Sequence, residues 1–102
     1  MKYMVSWTFR LGGSASENEA AAKRILALYS KWTPPAGTTY HQFLGRADGN
    51  GGYAVIETDN PKEVADVATF APFAEWQIQP VLDIAEAVQI ATEAIKFRDS
   101  IG

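Results

Sequence analysis

The stretch Thr39–Thr58, TYHQFLGRADGNGGYAVIET, restricts the fold more than any other part of the chain. Two runs rich in aromatic and β-branched residues flank a polar, glycine-rich centre, which is the composition of a β-hairpin. Asp48-Gly49-Asn50-Gly51-Gly52 can supply the positive φ angles that a tight reversal needs. With Ala47–Gly51 as the loop, Arg46 faces Gly52. That register sets Leu44 opposite Ala54, Phe43 opposite Val55, Gln42 opposite Ile56 and His41 opposite Glu57. The glycine cluster is turn geometry and not a phosphate loop, because it lacks the lysine and does not open onto a helix.

The flanking segments extend the hairpin into an alternating pattern. Tyr3–Arg10 reads as a strand, with Tyr3, Val5, Trp7 and Phe9 on one side and Met4, Ser6, Thr8 and Arg10 on the other. A helix follows, started by the Ser16-x-x-Glu19 capping box, carrying Ala22, Ile25, Leu28 or Tyr29, and Trp32 on one face, and stopped by Pro34-Pro35. After the hairpin, Asn60-Pro61 starts a short second helix that Pro72 ends. Trp76–Leu82 is a fourth strand, placed at a sheet edge by Pro80. Asp83 and Glu86 then open a last helix with Ile84, Val88, Ala91 and Ile95 as its apolar stripe, reaching about Arg98. The order β-α-β-β-α-β plus a C-terminal helix is the ferredoxin-like α+β pattern, expected here as one domain over residues 1–102.

Composition narrows the functions open to such a chain. The net charge of −3, with scattered Lys and Arg, argues against a nucleic-acid partner. The absence of cysteine removes disulfides, thiolate catalysis and cysteine-ligated metals. A single histidine leaves no histidine-built metal site within one chain. No metal or other cofactor is therefore expected. No apolar stretch reaches membrane-spanning length, and Met1-Lys2 leads directly into a strand, so the expectation is a soluble, cytoplasmic protein without membrane contact.

In a ferredoxin-like sheet the helices cover one face only. Val5, Trp7, Phe9, Leu44, Ala54, Ile56 and Ile78 form a consistent apolar set for the helix side. The other set is Ser6, Thr8, Arg10, His41, Phe43, Tyr53, Val55, Glu57, Gln77 and Gln79, apolar bulk mixed with hydrogen-bonding groups. A face of this kind either meets water or packs on a second subunit around a semi-polar cavity. Phe43, Tyr53 and Val55 would otherwise leave an exposed apolar patch, so a homodimer is expected.

HQFLGRADGNGGYAVIETDNP, the opening MKYMVSWTFR, and the closing VLDI with FRDSI closely resemble the small bacterial proteins grouped as domain of unknown function 3303. The resemblance implies a dimeric α+β barrel, two ferredoxin-like sheets packed face to face. Its superfamily includes cofactor-independent monooxygenases and haem-degrading enzymes. The family itself carries no established activity, so the resemblance transfers no catalytic residue.

The residues themselves offer His41 with Glu57 as the sharpest candidate pair. A carboxylate can orient an imidazole for acid–base work, or the two can simply be a cross-strand pair that orders the hairpin. Ser6, Thr8, Arg10, Phe43, Tyr53, Val55, Trp76 and Gln77 are the candidate ligand contacts. Arg10 and Arg46 can grip an anion or make surface ion pairs. Trp7 and Trp32 read as core, whereas Trp76 at a strand start can stack on a ligand. Three functions follow: a homodimer that binds a small molecule between its sheets; a cofactor-independent monooxygenase or isomerase acting on a small aromatic or enolisable substrate; or a structural or regulatory subunit with no ligand.

Overall fold

A computed structural model describes residues 1–102. Four strands, β1 (Lys2–Phe9), β2 (Thr39–Gly45), β3 (Gly51–Glu57) and β4 (Ala74–Val81), form one antiparallel sheet in the order β2-β3-β1-β4. Helix α1 (Ala15–Lys31) connects β1 to β2; α2 (Pro61–Val64) and a 3₁₀ segment (Ala65–Phe73) connect β3 to β4; α3 (Ile84–Ile101) follows β4. This is the ferredoxin-like order, with a C-terminal helix added.

The barrel expectation fails. β2 and β4 are edge strands, each paired on one side only, so the sheet is open and does not close on itself. Closure needs every strand to have two partners, and nothing in this chain supplies the missing ones.

The N-cap of α1 lies two residues before the expected one. Ser14 is the N-cap, accepting from the Glu17 backbone N–H at 3.2 Å while Glu17 Oε1 accepts from the Ser14 N–H at 3.4 Å. Ser14-x-x-Glu17 and Ser16-x-x-Glu19 match the same motif. The first is used, and Asn18 reinforces it by exchanging hydrogen bonds with the Gly13 backbone N–H and carbonyl. Asn60 caps α2 as the sequence suggests, accepting from the Lys62 N–H at 3.0 Å. Pro72 lies inside the 3₁₀ segment, which runs one residue further than expected. Asp83 is the N-cap position of α3, but its carboxylate turns to Lys2 Nζ at 2.9 Å and makes no cap.

The hairpin turn places Arg46 against Gly51, one residue from the expected register, with the Arg46 N–H donating to the Gly51 carbonyl at 2.8 Å. Gly49, at φ 75°, takes the left-handed conformation of the turn. Further along, β2 carries a β-bulge. Thr39 pairs with Glu57 and Tyr40 with Ile56, but then Gln42 pairs with Val55 and Phe43 with Ala54. His41 is the extra residue. The turn register sets Phe43 opposite Ala54, on the helix side and not on the open face, and the bulge brings Tyr40 to that same side. Leu44 correspondingly pairs with Tyr53, not with Ala54.

Val5, Ala54 and Ile56 are the buried centre, with Tyr3, Trp7, Tyr40, Trp76 and Ile78 packed against them. Only 7 of 102 residues are buried, and none of them belongs to α1 or α3. The helix layer therefore stands off the sheet and leaves space between the two. Helix α3 goes further: no element packs along it, and Ile84, Val88, Ile90, Phe97 and Ile101 are exposed. The molecule extends to 63 × 31 × 22 Å with a radius of gyration of 18.2 Å, against about 13 Å for a compact chain of this length. No helix is long and apolar enough to cross a membrane.

Candidate functional site

The sheet presents two recesses, one on each face. On the helix side an apolar cleft of about 490 Å³ lies between β1–β4 and the layer formed by α1 and the 3₁₀ segment. Its walls are aromatic because alternate residues of β1 and β4 and the bulged end of β2 all point there. Trp7 pairs in register with Trp76, and their rings stack at 5.4 Å. Phe43 sits edge-on to Trp7 at 5.8 Å and to Trp32 at 6.2 Å, and Trp32 meets Phe70 at 5.8 Å. Each contact adds about 0.5–1.5 kcal/mol beyond simple burial, which holds the walls in place around space the core does not fill.

Few polar groups reach this cleft, and most are already engaged. Trp32 Nε1 donates to Asp66 Oδ2 at 2.7 Å. Glu63 accepts from Thr38 Oγ1 at 2.6 Å and from the buried Thr58 Oγ1 at 3.2 Å. Burial, and then the nearby Asp66 charge, push the Tyr40 hydroxyl above its ordinary range. Trp76 also lines the cleft, and its Nε1, buried beneath the wall, is the one buried side-chain polar atom without a hydrogen-bond partner. Such an orphan donor costs roughly 1–3 kcal/mol unless something accepts from it. The sequence already offers Trp76 as a candidate, although it is the third residue of β4 and not its start. The cleft itself is not legible, because the sequence pattern puts Trp7 and Trp32 in the core and Phe43 on the open face, where the structure places all three on the cleft wall.

The opposite face holds a smaller, polar recess of about 300 Å³. It brings together Ser6, Thr8, Tyr53 and Gln77 of the expected contacts, with Arg46 and Glu75 added. Ser6 pairs with Tyr53 on one side and Gln77 on the other, and Thr8 pairs with Glu75, so the recess is a direct product of strand register. Glu75 is outside the expected set because the sequence pattern starts the fourth strand at Trp76, whereas β4 begins at Ala74. Val55 is on this face but outside the recess, and Arg10 follows the end of β1, outside both recesses. Arg46 also pairs with Asp48, whose carboxyl is held below its usual range first by the Asn50 N–H and then by Arg46.

His41 and Glu57 do meet. The imidazole Nε2 lies 2.7 Å from Glu57 Oε1, and with a proton on that nitrogen it donates to the carboxylate. The hydrogen bond from His41 holds Glu57 below the usual glutamate range, helped by the charges of His41 and Lys2. The contact exists for a different reason than the expected pairing. Glu57 is opposite Thr39, and the bulge swings His41 within reach. Both side chains are close to half exposed, and the pair sits at the Lys2 end of the sheet, about 13 Å along β1 from the Ser6 row. It lines neither recess. No group of three or more His, Cys, Asp or Glu side chains is arranged to hold a metal ion.

The family described as Domain of unknown function (DUF3303) matches residues 1–95. The chain belongs to that family. Among solved structures, the chain is similar to a protein from Nitrosomonas europaea provisionally described as an antibiotic biosynthesis monooxygenase. The identity is 13%, with 81% of this chain and 100% of that chain covered, at a TM-score of 0.45. No curated protein matches.

Proposed function

We propose that this protein binds a small, flat, largely apolar molecule in the helix-side cleft, and that the Trp76 ring shifts on binding so that its buried Nε1 donates to an acceptor on the ligand. The observation that carries this reading is the pairing of an aromatic-walled space of about 490 Å³ with a buried, unpartnered indole N–H. The volume falls in the range of small-molecule sites, and one or two polar groups in an apolar wall is how such sites orient a ligand. Binding here, and not between two sheets, is the form in which the small-molecule expectation fits the open sheet. The working unit we propose is a homodimer, supported by the unpartnered apolar face of α3.

A second reading is turnover of such a molecule, as a cofactor-independent oxygenase or isomerase on an aromatic or enolisable substrate. Asp66 and Glu63 favour it, because both carboxylates lie on the cleft wall where a base would be needed. His41 and Glu57 lie on the other face and would not serve this cleft.

All three tryptophans line the cleft, so their emission reports its occupancy directly. Titration with coumarin, a flat carbonyl acceptor, should quench that emission saturably. Trp76→Phe should weaken binding by about tenfold, the worth of one hydrogen bond. Gly45 lines the cleft with open space where a side chain would begin, so Gly45→Leu should obstruct binding while leaving the fold intact. Quenching that rises linearly and equally in all three proteins would end the proposal. Chemical change in the bound molecule, lost in Asp66→Asn, would favour the second reading over the first.

A further inference from the structure

The helix-side cleft has two ends of different chemistry, joined by Phe43, whose ring meets Trp7 at 5.8 Å and Trp32 at 6.2 Å. At one end Trp7 and Trp76 stack on each other. At the other, Trp32 is the centre of a ring cluster. Tyr29 lies at 6.1 Å from it, Tyr40 at 5.9 Å and Phe70 at 5.8 Å, centroid to centroid. Tyr40, Phe43 and Phe70 each stand at 80° to the indole plane. All of these rings line the cleft, so this end has aromatic walls set nearly at right angles to one another.

Charge of one sign is added to the same end. Asp66 and Glu63 are the carboxylates on the lining, and Arg46 is its one cation. Arg46 is already paired with Asp48, whereas neither Asp66 nor Glu63 makes an ion pair. Asp66 uses Oδ2 to accept from Trp32 Nε1 at 2.7 Å, which leaves Oδ1 free. The Asp66 charge also reaches the neighbouring ring, where it adds to burial in raising the Tyr40 hydroxyl.

The faces of aromatic rings are electron-rich, so they attract cations and repel anions. A carboxylate fixed among them acts in the same direction, and apolar surroundings screen it less than water does. An anionic ligand meets both effects with the wrong sign, and a neutral one leaves both unused. The kind of cation is restricted as well. Few acceptors reach this space, so a primary ammonium, with three N–H donors, would leave some of them unpaired. A cation whose charge sits on an alkylated or ring nitrogen makes no such demand.

We propose that the Trp32 end of the cleft is a site for an organic cation, a quaternary or aromatic ammonium group seated among Trp32, Tyr40, Phe43 and Phe70 with Asp66 as its counter-charge. This inference rests on the cleft being a ligand site and adds the class of ligand: a flat molecule with a cationic end at Trp32 and an acceptor end at Trp76.

Trimethyl(4-hydroxyphenyl)ammonium and 4-tert-butylphenol have the same shape and differ in charge, so the ratio of their affinities is the readout. Calorimetric titration of the full chain should show the cation binding at least about tenfold more tightly. Asp66→Asn, which keeps an acceptor for Trp32, should bring the two affinities within about threefold of each other, and Asp66→Glu should restore the preference. A purely structural role for Asp66 moves both affinities together and leaves their ratio alone, so an unchanged ratio in Asp66→Asn overturns the proposal. Equal affinities in the unaltered chain overturn it without any variant, and saturable binding of coumarin then leaves the cleft itself standing as a ligand site. Failure of all three probes to bind ends both readings together.

Discussion

The two faces of the sheet are built from the same four strands, residue by residue in alternation, yet they solve different physical problems. Val5, Trp7, Trp76 and Ile78 look toward the helices; Ser6, Thr8, Glu75 and Gln77 look away. On the helix side, large rings contact one another without being fully buried, and the leftover space becomes an apolar cleft. On the open side, ion pairs and amides are arranged across neighbouring strands, and the leftover space is polar. Packing holds the first face and solvated charge holds the second. They should therefore respond to different perturbations.

The largest effect is expected where the helix side has no tolerance. Gly52 is buried under the Trp7 ring and beside the Leu44 carbonyl, and an added Cβ would collide with both. The ring can shift but the backbone oxygen cannot without breaking the β2–β3 ladder. Gly52→Ala should therefore cost about 3 kcal/mol in urea unfolding. A cost near zero would mean that the Trp7 wall is loose, and with it the cleft.

A smaller effect tests the connection between the helix layer and the sheet. Trp32→Phe keeps most of the aromatic contact with Tyr40 and Phe43 but deletes the donor to Asp66. The loss should be about 2 kcal/mol, typical of a hydrogen bond to a charged group in a partly buried setting. If Asp66→Asn gave the same loss with no further change in the double variant, the bond itself would be the source. Additive losses would assign the effect to ring packing instead.

The fate of His41 shows what the sequence could and could not convey. The order of elements along the chain, the Pro34-Pro35 stop and the Asn60 cap are local chemistry, and each is readable from a few adjacent residues, whereas Pro72 lies inside the 3₁₀ segment it is expected to end. The turn register was off by one because five consecutive small or polar residues, Asp48–Gly52, allow several closures of similar energy. A bulge then removed a second residue of alignment at His41, and no glycine stands at that position to announce it. The turn register alone moved Phe43 from the open face into the cleft wall, opposite Ala54, and the bulge altered only the pairing of Tyr40 and Thr39. The His41–Glu57 contact survived because a long imidazole at a bulge can reach a neighbour that strict pairing would not give it. The capping box at α1 was ambiguous for a simpler reason: Ser14 and Ser16 both fit. Helix α3 was legible as amphipathic but not as unpartnered, because periodicity reports that a helix has an apolar face and is silent on what meets it.

Titration separates the faces most finely, and in opposite directions. Burial raises Tyr40 on the helix side, so its proton is held more tightly in the folded chain than in the unfolded one. Stability from this source is intact below the ordinary tyrosine range and is lost as pH rises through the raised value. Tyr40→Phe should flatten the alkaline limb of the stability curve, leaving the share that Lys2 carries, since Lys2 is raised by Asp83.

Glu57 on the open face behaves in the reverse sense. His41 holds it below the usual range, so its contribution is present above the ordinary glutamate value and is lost as pH falls through the depressed one. Asp48 and Asp83 are depressed too and share the acid limb, through the Asn50 N–H and Lys2 respectively. Glu57→Gln should therefore reduce, and not abolish, the drop in urea midpoint between neutral and strongly acidic solution. His41→Ala should reduce it by a similar amount, because the imidazole is the first cause of the Glu57 shift. If His41→Ala leaves the drop intact while Glu57→Gln reduces it, the carboxylate is being held by Lys2 and the N-terminus alone. The bulge at His41 would then be a feature of strand geometry with no electrostatic role on the open face.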